Sequence, residues 1–109
     1  MCIRDRLFCG NDVIALGALQ YAQETGIRVP QELCIAGFDG ISYASLAQIR
    51  LTTIRQDRQR MGETATHLLL DEIESKSNSE PAVQKVLLTP TLLAQATTGS
   101  MRPDRDVSR

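Results

Sequence analysis

The chain is 109 residues long and 42% hydrophobic, which limits it to one domain at most while allowing a packed core. Twelve Lys and Arg against 13 Asp and Glu leave a net charge of -1 with no basic stripe, which argues against direct contact with DNA by these residues. Aromatic residues make up only 4%, without Trp, which argues against a stacking platform for single strands.

Residues 1 to 6, Met-Cys-Ile-Arg-Asp-Arg, drive charge straight into the apolar run that follows. They are therefore expected to be a non-native or truncated start to a fragment. Residues 7 to 10, Leu-Phe-Cys-Gly, read as a short buried strand. Asn11 or Asp12 then caps a helix, because a short polar side chain accepts the unpaired amides of a first turn. The helix runs to about Thr25 and closes at Gly26, with Ile27 packing back on it. Pro30 prevents it from resuming. Residues 33 to 38, Leu-Cys-Ile-Ala-Gly-Phe, are apolar without alternation, the pattern of a strand inside a parallel sheet. Strand, helix and strand make a βαβ unit with a right-handed crossover.

Asp39-Gly40 forms a turn, residues 42 to 48 one or two helical turns, and residues 51 to 55 a short β-branched strand. Asp57 caps a second helix whose apolar positions 61, 65, 68, 69 and 73 lie close to one face. Residues 76 to 81 read as a loop, residues 83 to 88 and 91 to 96 as two further strands, and residues 99 to 109 as a disordered tail. The fold class is α/β. Cys9 and Cys34 fall inside apolar runs, and the three Cys lack metal spacing, which suits a reducing compartment and small buried thiols. No apolar run is long enough to cross a membrane.

In open parallel sheets, ligands bind beyond the carboxyl ends of the strands. Asn11 follows the first strand and Asp39 the second, so adjacent strands bring the two tips together. Asn offers two donors and an acceptor, and Asp acceptors, a pair suited to a neutral polyhydroxylated ligand. The plain alternative leaves Asn11 a helix cap and Asp39 a turn former. From Val13 to Ala22 the helix is apolar nearly all round, so Val13, Leu16, Gln20 and Gln23 face away from the sheet. They lie either under a neighbouring helix or at a subunit interface. An enzymatic alternative would have Asp12 and Asp39 hold Mg²⁺. It lacks any accompanying nucleophile motif, phosphate loop or metal motif, and His67, the only His, lies away from the apolar stripe. No cofactor and no metal is expected.

Three blocks follow one another in order. Phe8-Cys9-Gly10-Asn11-Asp12 leads into Ala15-Leu16-Gly17-Ala18, and Gly26-Ile27-Arg28-Val29-Pro30 precedes Ile35-Ala36-Gly37-Phe38-Asp39. Leu51-Thr52-Thr53-Ile54, Gln56 and Gly62 complete the series. Together they resemble the effector-sensing domain of the lac/gal repressor family over residues 7 to 98. The resemblance implies part of a two-lobed, parallel-sheet sensor of the periplasmic-binding-protein-like type (type I), mostly its C-terminal lobe. It implies a cytoplasmic transcriptional regulator, dimeric or tetrameric, with a sugar, sugar derivative or nucleobase as effector. Operator DNA would be met only through a helix-turn-helix headpiece outside this sequence.

The same resemblance assigns Asn11 and Asp39 to ligand hydrogen bonding and Gln56 to a possible pocket contact near a lobe-crossing hinge. It assigns Leu16, Gln20 and the segment from Ser42 to Ala47 to the subunit interface. Residues 7 to 55 and 91 to 98 would form one lobe, with the helix from Asp57 on the other and Thr89-Pro90 near the returning crossover. Gln48-Ile49-Arg50 stands where relatives often carry prolines, and Leu92-Leu93-Ala94-Gln95 where charged residues are common. A fragment of a periplasmic sugar-binding transport receptor shares the fold and is the alternative. The Leu-Thr-Thr-Ile block and the unpaired Cys favour the regulator.

Overall fold

A computed structural model describes residues 6–75 and 83–99. In chain order the elements are β1 (Arg6–Phe8), α1 (Asp12–Glu24), β2 (Cys34–Ala36), a 3₁₀ turn (Ser42–Ser45), β3 (Thr53–Arg55), α2 (Arg58–Glu74), β4 (Thr91–Leu93) and a second 3₁₀ turn (Ala96–Thr98). They fall into two compact units, one ending at Arg55 and resuming at Thr91, the other Gln56–Pro90. These boundaries coincide with the lobe division that the resemblance implies.

In the first unit β1 and β2 run parallel, with Leu7 opposite Ile35 and Phe8 opposite Ala36. The segment entering β3 lies along β2. Gly37 N–H donates to the Thr52 carbonyl and Asp39 N–H to the Ile54 carbonyl, both at 2.9 Å. β4 pairs antiparallel with β3, with Thr53 opposite Leu93 and Arg55 opposite Thr91. The strands thus form two two-stranded sheets, parallel β1-β2 and antiparallel β3-β4, linked by isolated parallel bridges between Ala36 and Thr52 and between Asp39 and Arg55.

Helix α1 forms where the capping chemistry places it. Asn11 Oδ1 accepts the Ile14 N–H at 2.9 Å, satisfying one of the amides that a first turn leaves unpaired. At the other end Gly26 N–H donates to Gln23 O at 3.3 Å and Ile27 N–H to Ala22 O at 2.8 Å, the paired bonds of a Schellman closure. The buried face of α1 carries Asp12, Ala15 and Ala22. Its small Ala residues let the helix approach the sheet closely, and Ala15 joins Cys9, Ile35, Ala44 and Leu51 in the core. Leu19, Leu33, Ile41 and Ile49 pack against that core from its margins. Cys9 and Cys34 are free thiols, and burial pushes the Cys9 thiol above its ordinary pKa.

In the second unit, Asp57 Oδ1 caps α2 by accepting the Arg60 N–H at 3.0 Å. The helix has no buried residue, and Met61, Leu69, Leu70 and Ile73 stand exposed along it, as does His67. The strand expected at residues 83 to 88 does not form. These residues adopt no regular structure, and Val83 is 98% exposed. Apolar content marks a segment that could face a core, but a strand also needs a partner ladder.

The strand expected at residues 91 to 96 stops at Leu93, because side-chain hydrogen bonds take over from the ladder. Gln95 N–H donates to Thr52 Oγ1 at 2.8 Å and Gln95 Nε2 to Leu51 O at 2.9 Å. Thr52 N–H donates to Thr97 Oγ1 at 2.9 Å, and the Thr97 hydroxyl donates to Ile35 O at 2.6 Å. Of the expected non-native start, residues 1 to 5 lie outside the described residues, while Arg6 opens β1. Of the expected tail, residues 100 to 109 lie outside them, as does the whole of the expected loop at 76 to 81, while Gly99 ends the second 3₁₀ turn.

Candidate functional site

Parallel pairing of β1 and β2 sends both strands to the same end of the sheet, and two further bonds extend the pairing. Cys9 N–H donates to Ala36 O at 2.8 Å and Asp12 N–H to Phe38 O at 2.9 Å. Asn11 and Asp39 therefore stand at neighbouring strand ends, as their positions in the sequence led us to expect. Asn11 is half-buried and its Oδ1 is occupied by capping, so the plain alternative holds for that oxygen. Its amide nitrogen carries two donors in addition.

Asp39 has φ 114°, a backbone region that side chains rarely enter and that Asp and Asn tolerate better than most. Gly40 follows at φ 70°, and a Cβ on it would stand 2.7 Å from Arg55 Cα. The turn is thus pressed against β3, leaving no room for a larger residue.

Asp12 plays a part that the sequence reading did not find. It follows the cap rather than being the cap, and it is fully buried. Its Oδ2 accepts the Ile41 N–H at 2.9 Å, and its Oδ1 accepts the Thr53 hydroxyl at 2.5 Å. Thr53 Oγ1 in turn accepts the Gly40 N–H at 3.3 Å. Gly37 makes room for this arrangement, since a Cβ there would run into the Asp12 carboxylate. Both oxygens of Asp12 are thus engaged within the fold, which removes the support for Mg²⁺ shared with Asp39. No group of three or more His, Cys, Asp or Glu residues suited to a metal ion occurs among the described residues.

The remaining expected residues lie elsewhere. Gln56 is half-buried and opens the second unit. Leu16 is half-buried and Gln20 exposed, its Nε2 donating to Glu24 Oε1 at 2.9 Å. Ser42 and Ala47 are exposed on either side of buried Ala44. A groove of about 460 Å³ runs along the outer face of α1, walled by Leu16, Leu19, Gln20 and Gln23 and closed by Ile27 and Ile49. It includes neither Asn11 nor Asp39. The groove thus joins two of the residues expected at a subunit interface, apart from the strand-tip pair.

Two parallel strands joined through a capped helix, with polar residues at the strand ends, make the βαβ unit of open-sheet α/β domains, in which ligands bind beyond the carboxyl ends of the strands. The chain matches the periplasmic binding protein-like domain over residues 5–98 and belongs to that family. It is 38% identical over 103 residues to the HTH-type transcriptional repressor PurR of Erwinia tasmaniensis, covering 94% of this chain and 29% of the repressor. It superposes with a TM-score of 0.75 on a LacI family transcriptional regulator from Arthrobacter in complex with lactose, at 26% identity, covering 86% of this chain and 34% of that one. The lac repressor dimer bound to operator and an anti-inducer gives a TM-score of 0.75 at 29% identity, covering 88% of this chain and 28% of that one. The relatives are transcriptional regulators of the lac repressor type, as the resemblance implied, and the chain spans 29% of the length of the PurR relative. No described helix is long and apolar enough to cross a membrane.

Proposed function

We propose that this chain is the ligand-sensing part of a DNA-binding transcriptional repressor, with a sugar or sugar derivative as its effector. The observation that carries the reading is the pair of neighbouring strand ends, where Asn11 supplies amide donors and Asp39 a carboxylate acceptor. A polyhydroxylated ligand presents both acceptors and donors to such a pair. Gln56 is the third expected ligand contact and rests on its family position. The relative solved with lactose supports the ligand class, and the relative solved on its operator supports the regulatory role.

The regulator is a cytoplasmic homodimer or tetramer that meets operator DNA through a helix-turn-helix headpiece in the part of its length not represented here. Effector binding and operator binding are then linked by a coupling free energy between two sites. On this reading this part of the protein has no catalytic role, in keeping with relatives that are transcriptional repressors and with Asp12 engaged within the fold.

The test is calorimetric titration of the intact regulator with mono- and disaccharides, lactose among them. Asp39→Asn is the informative variant, because Asn also tolerates the backbone at φ 114° while losing the charged acceptor. A hydrogen bond to a charged group contributes about 1.5–3 kcal/mol, so affinity should fall by roughly ten- to a hundredfold while operator binding persists. Unchanged sugar affinity in that variant would sink the pocket assignment.

A further inference from the structure

Asp12 is a fully buried carboxylate in the first turn of a mostly apolar helix, and the ligand reading does not use it. Its three hydrogen bonds converge on one short stretch of chain and its support. The Asp12 N–H holds the Phe38 carbonyl at 2.9 Å, and Oδ2 holds the Ile41 N–H at 2.9 Å. Oδ1 holds the Thr53 hydroxyl, whose oxygen receives the Gly40 N–H at 3.3 Å. Asp39 lies inside this clamp, in a backbone conformation that is unfavourable by itself. A strained conformation persists only where the surroundings over-determine it, and these bonds do so from both sides of the turn.

We propose that Asp12 is a positioning residue for the effector site: by clamping the turn at residues 38 to 41 it presents Asp39 at the tip of β2. The proposal rests on the reading of Asp39 as a ligand contact. The clamp itself is testable without any ligand. It also accounts for Gly37, where any side chain would displace the carboxylate from its place between the helix and the turn.

The experiment is hydrogen exchange on the intact regulator, resolved on peptides covering residues 38 to 41, for Asp12→Ala, Asp12→Asn and Thr53→Val. In Asp12→Ala the Ile41 amide loses its acceptor and the Thr53 hydroxyl that receives the Gly40 N–H loses its anchor, so exchange across residues 38 to 41 should rise, by about tenfold or more at Ile41. Exchange in α1, β1 and β2 should stay at its original rate. Asp12→Asn should restore most of the protection, since its amide oxygen accepts from Ile41 and its nitrogen donates to the Thr53 oxygen. Thr53→Val, which keeps the shape, should loosen the Gly40 amide alone.

Equal acceleration across α1 and β2 would show a purely structural role and overturn the proposal, as would unchanged exchange at the turn. If Asp12→Ala does not fold, Asp12→Asn and Thr53→Val decide by the same criteria. Sugar titration of Asp39→Asn reads the ligand assignment separately. A loosened turn with no ligand effect at Asp39 therefore identifies which of the two ideas has failed.

Discussion

Thr52 and Thr53 are consecutive along an extended segment and so point to opposite faces of the sheet. The Thr52 hydroxyl receives the Gln95 amide and meets Thr98 Oγ1 at 2.7 Å, tying the last described segment to the sheet. The Thr53 hydroxyl goes to Asp12 on the helix side. A hydroxyl at each position is needed because a buried acceptor left without its donor is costly, about 1–3 kcal/mol. The Asp12 and Thr53 pairing was not legible in the sequence, because the partners are 41 residues apart and composition does not say which buried polar groups meet. The placement of Asn11 and Asp39 at neighbouring strand ends was legible because a strand end followed by a cap or a turn is a local pattern.

Cys9 was legible as a buried thiol, and its burial has a chemical consequence at the same scale. Desolvation raises its pKa in the folded state, so the folded chain keeps the proton where the unfolded chain would release it. The associated stability is fully present below the unfolded pKa and is lost as pH rises through the folded value. At about pH 8, iodoacetamide should therefore label Cys9 at least about tenfold more slowly in the folded regulator than in denaturant. Equal labelling rates, read by peptide mapping, would show that the thiol is accessible and its burial wrong.

At the scale of elements, α1 has two jobs on two faces. Its Ala15 and Ala22 face packs on the sheet, while Leu16, Leu19, Gln20 and Gln23 wall the open groove. The absence of polar alternation from Val13 to Ala22 led to an expectation of cover on two sides, and the described residues bury only the face of Asp12, Ala15 and Ala22, while the caps set the helix ends to within a residue. The strands were less readable in length. Those expected over residues 7 to 10 and 33 to 38 shrink to three residues each, Arg6–Phe8 and Cys34–Ala36, because apolar content extends beyond the paired ladder. If the groove is a subunit interface, a charge inside it is desolvated without a partner on association. Leu16→Glu in the intact regulator should then weaken self-association by at least about tenfold, as read by sedimentation. An unaltered oligomer would assign the groove to cover from within the same subunit.

At the scale of the whole molecule, the chain leaves and re-enters the first unit at paired residues, Arg55 opposite Thr91, so both crossings start from one step of the ladder. That division was legible only through the family resemblance, since composition does not change at either point. The first unit has few large side chains in its interior, with Ile35 and Leu51 the largest fully buried apolar ones among the described residues. Against this, Phe8 on β1 is 65% exposed, Val13 on α1 66%, Tyr43 67% and Ile73 on α2 66%. Exposed apolar surface of this extent marks contact sites. The 109 residues expressed alone should therefore bind a hydrophobic dye such as ANS and self-associate, whereas the intact regulator should bind far less dye per residue. Size-exclusion chromatography with dye fluorescence on both proteins makes the comparison. A monodisperse 109-residue monomer with no more dye than the intact protein would mean that these surfaces need no partner, and the interface assignment for α1 would lose its physical basis.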